Sequence, residues 1–504
     1  MKRKTVWREL RERALPKPDR LNKEEFPAYE RTVEEDVLAV LTTGSTANLF
    51  YARATENVKE MLEVLKKCED LEFLAKAVIY AREKGFTRTL PIAGLVEISR
   101  REPALFRKIA DRICQNPHDW QQFIDICRSR TIRQGLGRSV KEVILKAIAG
   151  MSEYHAMKYP RAVEDMINIS HPHESLNPRI IRYIKKKEHE GEQFRYLKIL
   201  KTSENEDEII QAITDGGLPY EVVTGSVKRM TPKIWERLLY QAPYFNLIRN
   251  LNNFGKNGVF DSMENLDYAV SRITDEKAIR QSRLFPFRFY IAYQMLEDFR
   301  GAERLRNALQ VALEKSVANV PELDGKVAIA SDVSGSMSSN LTGDYSVVQC
   351  CDLVGLFTGC LVKKCRDLPI VLPFEWDVRE DIASQVYEKK TVMEIASCFS
   401  AWGGTSLSAP VEWLMRKREP VDYFIAFTDN EEWVGRSFIE AWTEYREIAP
   451  ECRAYLVTLL PYRDYPVPPE MNDVHFIFGW SDAVLRYITT DPADQMREVM
   501  EIEI

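Results

Sequence analysis

The sequence predicts two folds in one chain: an α-solenoid followed by an open, doubly wound, mostly parallel α/β sheet. Three observations carry this. The chain has 504 residues, more than one ordinary core holds, so two or more domains are expected. Short helical patterns run from about residue 30 to 320. Beyond Pro321 and Gly325 the period changes, and apolar strand patterns alternate with helical ones.

Residues 1–25, beginning "MKRKTVWRELRERALPKPDR", form a basic N-terminal segment without the apolar core of a signal peptide. Residues 26–320 read as the helical domain. Thr32 with Glu35, and Ser203 with Glu206, fit capping boxes ahead of apolar runs. Leu71, Leu74, Ala75, Val78 and Ile79 line one helix face, with Gly85 as its stop. "ALFRKIADRIC", "DWQQFIDICRS", "VKEVILKAIAG", "RAVEDMINIS" and "PRIIRYIKKK" continue the series, and Thr231–Pro232 opens another helix. Paired short helices of this kind stack into a solenoid.

Residues 321–504 read as the sheet domain. "KVAIAS", "PIVLPFEW", "DYFIAFTD", "RAYLVTLL" and "VHFIFG" are buried strands, with "VVQCCDLVGLFTGCLVKKC" and "LSAPVEWLMRKR" as helices between them. A ligand site is expected beyond the carboxyl ends of the strands.

Charge divides at the same place. Residues 321–504 hold 16 Lys/Arg against 31 Asp/Glu, net −15, which leaves the first 320 at net +9. Such a split suggests a polyanion partner for the helical half, or simply two surfaces of differing composition. Within it, residues 121–201 carry 16 Lys/Arg against 9 Asp/Glu. Arg128, Arg130, Arg133, Arg138, Lys141, Lys185, Lys186 and Lys187 are the candidate phosphate contacts. Each could equally belong to a solvated basic face. No run approaches about 18 apolar residues, so no membrane span is expected. Nine scattered cysteines fit reduced thiols in a cytoplasmic protein.

The motif "SDVSGSM" places Asp332, Ser334 and Ser336 at the end of the first sheet strand. Thr405 in "WGGTSLSAP" and Asp429 in "FIAFTDNEEW" fall in equivalent loops. Two carboxylates and three hydroxyls make an all-oxygen set, the kind that magnesium, manganese or calcium takes. Helix caps without a metal are the plain alternative. Enzyme readings fare worse. Ser334 lacks a base, since His475 lies inside a strand pattern, and the cysteines of residues 350–365 lack zinc spacing.

These five positions resemble the metal-ion-dependent adhesion site of von Willebrand factor A-type (vWA) domains. The helical half resembles the TROVE module of the Ro autoantigen family. The resemblance is carried by "TPKIWERLLYQAPYFNLIRNLNNFGKNG", "RLFPFRFYIAYQML", "GLGRSVKEVILKAI" and "MINISHPHES", with "FTDNEEW" and "WGGT" in the sheet half. It implies a closed ring of HEAT-like helix pairs whose ends the vWA domain joins. It also implies one divalent cation, with magnesium the first choice, and a non-enzymatic monomer. The single-stranded 3′ ends of misfolded RNA would enter the hole, in RNA quality control. A Y RNA-like small RNA would bind outside, near Lys158 and His171, and could tether a 3′-to-5′ exonuclease. Tyr154, Ala156 and Met157 stand where family members are basic or polar. The competing reading is a scaffold without RNA, whose vWA domain binds an acidic partner through the metal.

Overall fold

The structure is a computed structural model. It describes residues 15–504 except 31, 44–53, 86, 130–131, 133–134, 341–347, 461, 463, 480–483, 486–487 and 489–494. Arg130, Arg133 and most of the basic N-terminal segment thus lie outside the described residues.

Helices occupy the chain from Val33 to Asn319, and the sheet begins at Val327. The helices are short, for a local reason: each is stopped by a cap or a proline. Asp70 accepts Phe73 N–H at the start of Leu71–Glu83. Asn116, Asn177 and Thr231 cap helices whose first turn carries proline. The Thr32–Glu35 capping box forms, with Thr32 N–H on Glu35 at 3.1 Å and Glu35 N–H on Thr32 Oγ1 at 3.2 Å. The expected Ser203–Glu206 box does not. Asn205 caps that helix instead, while Glu206 turns outward to Thr231 and Lys233. An asparagine nearer the first turn has the shorter reach to the free N–H groups.

Most helices pack on those one to three places along the chain, the contact pattern of a solenoid. Its apolar stripe and the sheet domain's interior merge into one continuous core.

The sheet is parallel throughout. Its strands are β1 (Val327–Asp332), β2 (Ile370–Phe374), β3 (Tyr423–Thr428), β4 (Arg453–Thr458) and β5 (Val474–Phe478), in the order β2-β1-β3-β4-β5. All five expected strands are present. The order reverses beside β1, so loops after β1 and β3 open into one crevice. Cys350, Cys351 and Cys360 are buried in the apolar helix Cys350–Lys364, as small hydrophobes.

The array begins and ends on the sheet domain. At its far end Tyr290 OH donates to Asp352 at 2.8 Å, and Glu314 accepts Val392 N–H at 2.6 Å. At its near end Tyr29 N–H donates to Tyr465 O at 3.0 Å. The C-terminal tail then crosses to the first helices: Lys76 Nζ donates to Met500 O at 3.0 Å and Arg112 Nη1 to Glu503 O at 2.6 Å. Buried Gln495 joins the two halves, accepting Phe478 N–H at 2.9 Å and donating to Tyr80 OH at 3.2 Å. Gln495→Leu leaves these partners buried without their bonds, at a cost of about 1–3 kcal/mol. The expected outcome is a lower thermal midpoint; an unchanged midpoint would show that the junction does not depend on this residue.

Candidate metal centre and nucleic-acid interface

The five sequence-predicted metal residues come together at the carboxyl end of β1 and β3. All are buried, Asp332 and Asp429 completely. Asp332 ends β1, with Oδ1 accepting Ser334 N–H at 2.8 Å and Oδ2 accepting Thr428 Oγ1–H at 2.7 Å. Ser334 and Ser336 hydroxyls lie 3.1 Å apart. Backbone bonds lock the loops together. Gly335 N–H donates to Gly403 O at 3.0 Å, and Trp433 N–H donates to Thr405 O at 2.9 Å. Gly403 has φ +82°, and a Cβ there would sit 2.1 Å from Glu375 Oε2, so the loop needs glycine. Asn430, at φ 67°, turns the chain sharply after Asp429.

Burial, and then the neighbouring Asp429 charge, pushes Asp332 up to about 7. Burial raises Asp429 as well, against the Ser336 hydroxyl beside it. Asp429 Oδ1 accepts Glu431 N–H at 3.2 Å, but buried Oδ2 has no hydrogen-bond partner. An unanswered carboxylate oxygen, a second carboxylate and three hydroxyls fit a hard divalent cation. Among the described residues no group of three or more His, Cys, Asp or Glu is placed to hold a metal ion, so a cation here would rest on two carboxylates and the hydroxyls.

The structure adds buried acids that the sequence reading missed: Glu375, Glu431, Glu432 and Asp464. Arg20 meets Asp464 at 2.7 Å, and Lys23 N–H donates to Glu431 at 2.9 Å. The chain's beginning therefore braces the third metal-site loop.

The predicted basic residues do not converge. They are strung along successive helices from Pro117–Arg128 to Pro178–Lys186. Several are answered by carboxylates: Arg128 by Asp165 at 3.5 Å, Arg138 by Glu142 at 3.0 Å, and Lys186 by Glu174 at 3.0 Å. Lys158 meets Glu221 at 3.2 Å, between the rings of Tyr154 and Tyr159. Lys187 caps its helix in the left-handed region, as exposed His171 does at φ 51°. Lys141 and Lys185 are exposed.

A different set does converge. A cavity of about 720 Å³ is lined by Arg82, Arg88 and Gln115 on one side and by Arg249, Asn252 and Arg288 on the other. Residues so far apart in sequence meet only because the array curves back on itself. No carboxylate is among the described residues that line the cavity. Arg82 is tied to buried Asp119 at 2.6 Å, whereas Arg88 and Arg249 are exposed and have no ion pair among the described residues. Exposed Phe245 and Met295 stand among them. Arg249 and Arg288 sit within "FNLIRNLNN" and "LFPFRFY", stretches that stood out only for their resemblance. Their shared cavity was invisible without the array's curvature.

Comparison with known proteins accords with this layout. Residues 326–459 match the family model of the Ro60 vWA domain, and residues 224–313 match that of the TROVE domain. The chain carries a TROVE domain joined to a Ro60-type vWA domain. It is 28% identical over 316 residues to a Caenorhabditis elegans protein named RNA-binding protein RO60, covering 57% of this chain and 46% of that one. A Deinococcus radiodurans protein of the same name is 24% identical over 258 residues, 48% of each chain. The chain thus spans about half the length of these curated relatives. The crystal structure of the Deinococcus radiodurans RO (RSR) protein superposes with a TM-score of 0.65 at 16% identity. It covers 93% of this chain and 99% of that one, so the fold is shared. No helix among the described residues is long and apolar enough to cross a membrane.

Beside the vWA centre, burial pushes Glu432 up to about 8, although its carboxylate accepts Phe438 N–H at 2.9 Å. An unfolded glutamate ionises near 4.5, so the folded state resists ionisation that the unfolded state accepts. Stability from this group therefore falls as pH rises from about 5 to about 8 and is level above that. Glu432→Gln removes the penalty. Its thermal midpoint should gain more over wild type at pH 8 than at pH 5; equal gains at both would refute the assignment.

Proposed function

We propose that this chain is a Ro-type RNA-binding protein whose helical ring receives single-stranded RNA ends at the arginine-lined cavity. One observation carries the proposal: Arg82, Arg88, Arg249 and Arg288 line one cavity with no carboxylate among its described lining residues, in a chain with a TROVE domain match. Guanidinium groups bind phosphate oxygens in pairs, and flanking Phe245 offers a face on which a base can stack. The cavity of about 720 Å³ is of a size for a single strand rather than for an A-form duplex. A single-stranded 3′ end fits. The outer surface around His171 is assigned to a Y-like small RNA. The chain's role is then quality control of misfolded RNA, with that RNA as a tether to an exonuclease. The curated relatives' name, RNA-binding protein, supports RNA as the partner class.

The second element of the proposal is a divalent cation, magnesium first, held by Asp332, Ser334, Ser336, Thr405 and Asp429 directly or through water. The unpartnered Asp429 Oδ2 supports it. The ion would neutralise the two carboxylates and offer a position to an outside oxygen ligand. The chain's own part is to hold those oxygens in fixed loops, Asp332 through Ser334 N–H and Thr428, and Thr405 through Trp433 N–H.

Each element has its own test. Arg88→Glu with Arg249→Glu should weaken a tailed RNA at least about tenfold. It should also flatten the dependence of log affinity on log salt by about 1.4, two contacts at about 0.7 each for a single strand. An unchanged slope would move the RNA site elsewhere, and no RNA binding even at low salt would favour the protein scaffold. For the cation, Asp332→Ala should abolish the heat of magnesium binding in titration calorimetry while circular dichroism stays native. A variant that binds magnesium as wild type does would sink the centre.

A further inference from the structure

Three tryptophans ring the vWA centre, and their indoles are not among its oxygen donors. Trp376, Trp402 and Trp433 are 50%, 64% and 46% exposed, while the other described tryptophans are buried or half-buried. Each is bound into a loop of the centre. Trp402 N–H donates to Val333 O at 2.7 Å, and Trp433 N–H to Thr405 O at 2.9 Å. Trp376 follows Glu375, whose carbonyl accepts Ser406 N–H at 2.7 Å. The rings of Trp376 and Trp402 lie 5.7 Å apart at 59°. A Cβ on Gly404 would come within 2.3 Å of both Trp376 Nε1 and Trp433 Cε3. The indoles thus close around Gly404, one residue before Thr405, and no side chain larger than hydrogen fits between them.

Exposed indoles in one cluster are costly in water and mark a contact surface. Charge selects among contact partners. The half that carries them is net −15. The arginines nearby are already engaged: Arg379 with Asp381 at 2.8 Å and Glu375 at 3.2 Å, and Arg416 with Asp377 at 3.5 Å. A nucleic acid meets repulsion here, whereas a cationic segment is drawn in. Tryptophan also presents the strongest π-face to a cation.

We propose that this rim is a docking face for a polypeptide segment in which one carboxylate is flanked by arginine or lysine. The carboxylate ligates the cation, and the neighbouring cationic side chain stacks on Trp402 and Trp433. Trp376, half covered by its neighbours, fixes the orientation of Trp402. The inference rests on reading the centre as a cation site. It adds that the rim, rather than the ion, sets which acidic segment is accepted.

The test uses the full-length chain loaded with magnesium to select from a phage-displayed random heptapeptide library. Selected sequences should pair Asp or Glu with Arg or Lys one or two positions away and should be released by chelator. As synthetic peptides they should lose about tenfold or more in affinity for the variant Trp402→Ala, whose magnesium affinity stays within about twofold of wild type. Trp402→Phe should recover part of the loss. Selected peptides without the acid–cation pair, or with affinity indifferent to the tryptophans, would overturn the inference while leaving the cation site standing. So would the absence of any magnesium-dependent binder. If wild type shows no heat of magnesium binding, the cation reading itself falls, and this inference with it. Competition by oligouridylate that depends on Trp402 would reassign the face to nucleic acid and overturn the polypeptide.

Discussion

A linear array of helices becomes a ring only if its first helix meets a domain tethered to its last. That constraint governs this molecule. The array leaves the sheet domain at Asn319 and Val327, and returns to it through Tyr29 on Tyr465, Gln495 between Tyr80 and Phe478, and the tail on Lys76 and Arg112. Solenoid contacts are local, so a gap anywhere would let the array uncurl. With the ends fixed, residues near 88 and near 249 must face each other, and a cavity follows from closure rather than from a pocket-forming loop.

The closing segment also shapes the vWA centre. Asn22 Nδ2 donates to Glu432 O at 2.6 Å while its Oδ1 accepts Glu24 and Phe26 N–H groups, holding a tight turn against the loop. Lys23 and Arg20 reach Glu431 and Asp464 next to it. The loop that carries Asp429 is thus clamped by residues more than 400 positions earlier. Closure of the ring and geometry of the centre share side chains, so a change at Asn22 acts on both.

Much of this was legible in the sequence, and the limit is physical. The five strands stand out because a parallel sheet covered on both faces demands unbroken apolar runs such as "VAIAS" and "FIAFT". Their order placed Asp332, Thr405 and Asp429 at one edge, and the structure brings those residues together. Thr32–Glu35 and Thr231–Pro232 were readable because capping is decided within four residues. Ser203 misled because Asn205, equally polar and better placed, competes for the same N–H groups. Charge density pointed to residues 121–201, yet glutamates and aspartates on adjacent helices answer much of it. The converging arginines lie where local composition is unremarkable. Cross-ring proximity depends on the summed rotation of many helix pairs, which no window of sequence contains. The clamp by Asn22 and Lys23 was missed for the same reason.

The electrostatics of the sheet's carboxyl end then locate the cation within an acidic neighbourhood. Asp332, Glu375, Asp429, Glu431, Glu432 and Asp464 are all nearly or fully buried, and each must be answered to be tolerated. Arg379 answers Glu375, Arg20 answers Asp464, and Phe438 N–H supports Glu432. Glu431, raised by burial and then by Asp464, can hold a proton between the two carboxyls. Asp332 and Asp429 differ from the rest. Serine and threonine hydroxyls and backbone N–H groups support them, the Asp429 charge acts on Asp332, and one oxygen of Asp429, like one each of Glu375 and Glu431, has no hydrogen-bond partner. Like charges so placed favour either a shared proton or a cation of matching charge. The flanking serine and threonine hydroxyls are too weakly acidic to supply the proton but are good neutral ligands. The hydroxyls gathered at Asp332 and Asp429, rather than the count of acidic residues or an unpartnered oxygen, single out this pair among six.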